Sequence, residues 1–128
     1  MESKEEYESK LSKQEYWETN FEQELNNFVN HGDDGEVWFG KDVQKKTVEY
    51  LLNRFPSSDK LKVLDVGTGN GALLFKLVKK GFLAHLVGID YSDWSVAFSK
   101  KIQESLIEER PLVAEIDFRF ENAFDLID

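Results

Sequence analysis

Two kinds of apolar pattern divide this chain. From about Gln14, the residues Trp17, Phe21, Leu25, Phe28 and Val29 recur at helical spacing, and Gly32 supplies a left-handed stop. A turn follows at His31-Gly32-Asp33-Asp34-Gly35-Glu36. Val37, Trp38 and Phe39 come next, and then a second helical stripe of Val43, Thr47, Val48, Leu51 and Phe55 that Pro56-Ser57-Ser58-Asp59 breaks. From residue 61 the apolar positions fall into short blocks instead. Residues 61–66, 86–89 and 115–120 read as strands. A helix over 72–80, ended by Gly81, joins the first two, and a helix over 93–109, capped by Ser92 and stopped before Pro111, joins the last two. Apolar strands joined by amphipathic helices predict an α/β fold with a parallel sheet covered on both faces. Right-handed crossovers place the strands in the spatial order three, two, one.

The expected organisation is therefore a polar, mobile leader over residues 1–13, a helical segment with an aromatic loop over 14–60, and the first half of a doubly wound domain over 61–128. Phe124-Asp125-Leu126-Ile127 reads as the start of a fourth strand after a very short loop. Ending at Asp128, the sheet is truncated after strand three, which leaves strand one with an unpaired edge.

Composition narrows the chemistry. The chain has no cysteine, which removes disulfides, thiol catalysis and thiolate metal sites. His31 and His85 are far apart in sequence and have no metal-ligand spacing, so no metal is expected. The net charge is −9, with 8 basic against 14 acidic residues up to position 60 and 8 against 11 beyond it. An acidic surface disfavours nucleic acid and anionic membrane and suits a basic protein partner. No apolar run approaches the roughly 20 residues of a membrane span, and the first residues lack the basic and apolar regions of a signal peptide. The expected compartment is the cytoplasm.

The residues with the most specific chemistry are Val-Leu-Asp-Val-Gly-Thr-Gly-Asn-Gly at 63–71, with Asp90 nineteen residues beyond the last glycine. Gly67, Thr68, Gly69 and Gly71 form a loop in which the backbone turns sharply and approaches a ligand closely. The same string satisfies a relaxed dinucleotide fingerprint through Gly67, Gly69 and Ala72. Asp65 decides between the cofactors. A dinucleotide brings a pyrophosphate to this loop, which a carboxylate at the mouth repels, whereas S-adenosylmethionine brings an amino group and a cationic sulfonium. Asp90, at the end of the second strand, is placed to accept from both hydroxyls of a ribose. Tyr91 offers an aromatic face to an adenine ring. Asn122, favoured over Glu121, has a side-chain oxygen for the adenine amino group. Trp38, in the loop between Gly35 and Gly40, is a candidate lid over the cofactor or, equally, a packed core aromatic.

These residues together resemble a known family. The glycine loop is similar to that of the class I, seven-stranded S-adenosylmethionine-dependent methyltransferases. A narrower likeness is carried by Tyr16-Trp17, Glu24-Leu25, Phe28, the run Gly32-Asp33-Asp34-Gly35-Glu36-Val37-Trp38-Phe39-Gly40, residues 64–71, and Gly88-Ile89-Asp90-Tyr91-Ser92. From about residue 14 onward the chain resembles the eukaryotic lysine methyltransferases that modify translation elongation factor 1-alpha. The resemblance implies a Rossmann-like doubly wound sheet, S-adenosyl-L-methionine as cofactor, and methyl transfer to a lysine amine of a basic cytosolic protein. It also implies a lysine pocket built after a fourth strand, so no catalytic residue is assigned here. Other readings are half of a split methyltransferase completed by a second chain, a non-catalytic cofactor- or protein-binding fragment and, more distantly, a nicotinamide-dependent oxidoreductase.

Overall fold

Three short parallel strands and the helices between them set out the architecture. The structure is a computed structural model that describes residues 14–31, 40–58 and 60–122; for 14–18, 21 and 29–31 it describes helical backbone alone. The 1–13 leader, the turn at Gly32, the Val37-Trp38-Phe39 loop and the Phe124–Ile127 stretch lie outside the described residues. In order, the elements are α1 (Gln14–His31), α2 (Gly40–Arg54), β1 (Lys62–Val66), α3 (Ala72–Lys79), β2 (His85–Asp90), α4 (Asp93–Leu106), a 3-10 turn (Pro111–Glu115) and β3 (Asp117–Phe120).

The sheet runs β1-β2-β3, so the expected three-two-one order is found. Both pairings are parallel, with Lys62 opposite His85 and Val66 opposite Ile89 in the first, and Val87 opposite Asp117 and Asp90 opposite Phe120 in the second. Two right-handed crossovers taken in the same direction bring both connecting helices to one face. On that face Leu74 and Leu77 of α3, Val96 of α4, Leu86 of β2 and Phe118 of β3 form the core with Val48, Phe82, Val113 and Ile116. Each such side chain contributes roughly 1.5–3 kcal/mol when fully buried. The opposite face differs from the expectation of cover on both sides. Leu64 and Val66 of β1 are 51% and 57% exposed there, whereas Ile89 of β2 is buried.

The helices follow their sequence signals closely. Ser92 caps α4 by accepting from the Ser95 N–H at 3.3 Å, and Gly81 (φ 78°) follows the end of α3. α1 lies along α4, where the rings of Phe28 and Phe98 meet edge to face at 5.9 Å. The side chains of Trp17 and Phe21, expected in the same stripe, lie outside the described residues. Two boundaries move. α4 ends at Leu106, with residues 107–109 forming a turn. The third strand begins at Asp117 instead of position 115, because Pro111 opens a 3-10 turn over the preceding residues. The Gln103 amide fixes that turn to α4, its Nε2 donating to the carbonyls of Val113 at 2.6 Å and Ile116 at 2.9 Å.

Candidate functional site

β1 ends in a loop that threads over the end of β2. The Gly67 and Thr68 N–H groups both donate to the Ile89 carbonyl, at 2.9 and 3.0 Å, which carries the sheet pairing past the last residue of the strand. Gly67, Gly69 and Gly71 then take left-handed φ values of 73°, 59° and 79°, a region that side chains rarely adopt. Their surroundings differ. A Cβ on Gly67 meets nothing within 4 Å, because this glycine lies at the open mouth of the loop. A Cβ on Gly71 falls 2.8 Å from the Phe118 ring and 2.9 Å from that of Phe75. Gly67 therefore keeps the mouth clear, whereas Gly71 lets α3 start directly against the core.

Polar side chains hold this loop in place. The Thr68 hydroxyl donates to Asp65 Oδ2 at 2.9 Å. The Gly69 N–H donates to Asp90 Oδ2 at 3.0 Å, and the Ser92 N–H donates to the other oxygen of the same carboxylate at 3.0 Å. Asp90 is only 5% exposed. Sequence reasoning favoured a ribose acceptor over a helix-capping acid; in the structure the carboxylate joins the glycine loop to the start of α4. Each oxygen keeps a second lone pair beside the one its N–H occupies.

Beside the loop lies a cleft of about 160 Å³. Asp65, Gly67, Thr68 and Gly69 line one side, and Val43, Gln44 and Thr47 of α2 line the other. The α2 wall was missed. Val43 and Thr47 read only as part of a helical stripe; Val43 is 53% exposed and faces the cleft, and within α2 only Val48 is fully buried. Asp90, half-buried Tyr91 and exposed Asn122 lie outside this cleft, at the same end of the sheet, where the Glu121 N–H donates to the Asp90 carbonyl. Phe120, paired with Asp90 and 55% exposed, is a second aromatic there that the sequence did not single out. Trp38 lies outside the described residues.

Charge at the mouth depends on Asp65. Burial raises its carboxyl above the usual range, the Thr68 hydrogen bond opposes that rise, and the nearby Asp90 charge adds to it. An acid with a raised folded pKa keeps a proton that the unfolded chain has released, so its contribution to stability declines as pH rises through the interval between the two values. The wild-type chain should therefore lose stability relative to Asp65→Asn as pH increases from about 4. The variant retains an amide oxygen to accept from Thr68. Melting temperatures of both proteins between pH 4 and 7 check this, and parallel curves would refute it.

Residues 57–128 match the model of a family described as a methyltransferase domain, and the chain belongs to that family. It is 37% identical over 107 residues to the protein-lysine N-methyltransferase efm4 of Schizosaccharomyces pombe, an alignment covering 74% of this chain and 45% of that protein. It is 40% identical over 96 residues to the EEF1A lysine methyltransferase 2 of Mus musculus, covering 75% of this chain and 38% of that one. The chain thus spans less than half the length of these curated relatives. In fold it is similar to the solved structure of WbdD with the kinase inhibitor LY294002, with a TM-score of 0.52 and 24% identity over 80% of this chain and 25% of that one.

Proposed function

We propose that this chain provides the methyl-donor site of an S-adenosylmethionine-dependent protein-lysine N-methyltransferase whose substrate is translation elongation factor 1-alpha. The observation that carries the reading is the loop at 67–71. It has a glycine at an open mouth, a carboxylate on either flank, and a cleft beside it that Asp65 lines and, among the described residues, no basic side chain does. The similarity to two proteins named for lysine methylation, one of them for EEF1A, supports the substrate.

The side chains suit this donor. Asp65 faces the cleft with a carboxylate that attracts a cationic amine or sulfonium. The backbone at Gly67 leaves room for close approach, and the Asp90 carboxylate, which already accepts from two backbone N–H groups, is proposed to accept from ribose hydroxyls as well. Tyr91 and Asn122 are proposed to hold the adenine end, and Trp38 to serve as a lid over the cofactor. When bound, S-adenosylmethionine supplies an electrophilic methyl group for in-line displacement by an amine. The protein has to align that amine, keep it neutral and exclude water. Val43, Gln44 and Thr47 serve the last of these tasks by walling the cleft. An acidic chain of net charge −9 steers a basic substrate, and the reaction belongs in the cytoplasm, where that substrate works.

Incubating a version of the protein extended through strand seven with labelled S-adenosylmethionine and purified elongation factor 1-alpha tests the proposal. Label should appear on a lysine of the factor, at a rate that falls with added salt, and calorimetry should detect S-adenosylmethionine but no NAD. Label confined to nucleic acid or small molecules, or tight binding of NAD, would contradict it.

A further inference from the structure

Gly69 is held by three side chains from far along the sequence. On its amino side, its N–H donates to Asp90. On its carboxyl side, its carbonyl oxygen accepts from two serine hydroxyls, Ser95 Oγ and Ser99 Oγ, each at 2.7 Å. Both serines are fully buried. They are spaced i, i+4 on α4, so they share one helix face. A serine inside a helix usually bonds back to its own helix backbone and is a weak helix former. These two instead donate outward to a single acceptor, and a carbonyl oxygen has two lone pairs to receive them.

We propose that Ser95 and Ser99 are positioning residues for the methyl donor, acting together as a clamp that fixes the glycine loop in its binding shape before the donor arrives. The clamp acts through Gly69, the glycine whose left-handed φ of 59° places the loop alongside the cleft. Without the two hydroxyls, the peptide following Gly69 is free to turn, and donor binding must then supply the ordering of the loop. The clamp also makes α4 part of the donor site although neither serine lines the cleft. This inference rests on the donor assignment proposed above.

The test compares Ser95→Ala, Ser99→Ala and the double variant in the full chain with Ile102→Val, a buried change on the same helix that leaves the clamp intact. Affinity for S-adenosylhomocysteine is measured by calorimetry on folded protein at low temperature, alongside melting temperature and amide hydrogen exchange at residues 69–71. Each single variant should bind about threefold more weakly and the double variant about tenfold, with faster exchange confined to the loop when the ligand is absent. Ile102→Val should lower the melting temperature and bind as wild type does. Serine variants that melt earlier yet bind with unchanged affinity would overturn the clamp and leave the serines a purely stabilising role. If the wild-type chain binds no S-adenosylhomocysteine, the donor assignment itself falls, which is a separate outcome. The single variants keep one hydroxyl on the carbonyl and decide the question even where the double variant does not fold.

Discussion

Replacing Asp90 with alanine is expected to weaken S-adenosylmethionine binding by about ten- to 150-fold, the equivalent of losing roughly 1.5–3 kcal/mol of charge-assisted hydrogen bonding. Two effects act in the same direction. The ribose loses its proposed acceptor, and the N–H groups of Gly69 and Ser92, both in buried residues, lose the carboxylate that joins them. Leaving buried donors unsatisfied costs about 1–3 kcal/mol each, so the variant should also melt well below wild type. Asp90→Asn separates the effects, because it keeps one oxygen for a backbone donor but turns an amide N–H₂ toward the other. It should recover part of the stability and little of the affinity. Calorimetry on the folded protein at low temperature measures the first quantity and thermal denaturation the second. An Asp90→Ala protein with wild-type affinity would remove the carboxylate from the donor site.

The second large effect concerns the fold itself. Gly71→Ala is expected to destabilise the chain by roughly 2–5 kcal/mol, combining the left-handed penalty of about 1–2 kcal/mol with an overpacking cost of about 1–3 kcal/mol. The added Cβ sits 2.8–2.9 Å from the rings of Phe118 and Phe75, which already lean on one another with centroids 5.5 Å apart. Phe118 is buried in the core and has little room to retreat, whereas Phe75 is partly exposed, which sets the spread of the expected cost. A domain of this size has a total stability of only about 5–15 kcal/mol, so the larger value leaves little margin. Gly67→Ala is the natural control. It has a similar φ but open space, so it should lose only the conformational part, about 1–2 kcal/mol. Urea denaturation of the two variants side by side gives the difference, and equal losses would show that packing around Gly71 is looser than the geometry indicates.

What the sequence made legible was mostly local. The glycine loop, the Ser92 cap, the Gly81 stop and the strand order follow from residue types within a few positions of one another. The 3-10 turn before β3 escaped because Ile116, Phe118 and Phe120 alternate as a strand does, and the tie from Gln103 that reshapes the preceding turn comes from another element. The wall formed by α2 escaped because Val43 and Thr47 fit the same helical stripe as buried Val48, and periodicity does not say which end of a stripe runs out over a cleft. The convergence of Ser95 and Ser99 on Gly69, 26 and 30 residues away, has no period at all. Its only trace in the sequence is a pair of small polar residues at i, i+4 in a helix that is otherwise apolar on its inner face.

The outward growth of the sheet from β1 also sets an order in time. Lys62 pairs with His85 and Val87 with Asp117, so each strand finds its neighbour among residues already synthesised. At roughly 5–20 residues per second, successive strands leave the ribosome on the order of a few seconds apart, long enough for the first strand-helix-strand unit to pair before the third strand emerges. The carbonyl of Gly69 then waits for Ser95 and Ser99, which emerge after β2 and ahead of β3. The glycine loop can thus be locked during translation, while β3 is still inside the ribosome.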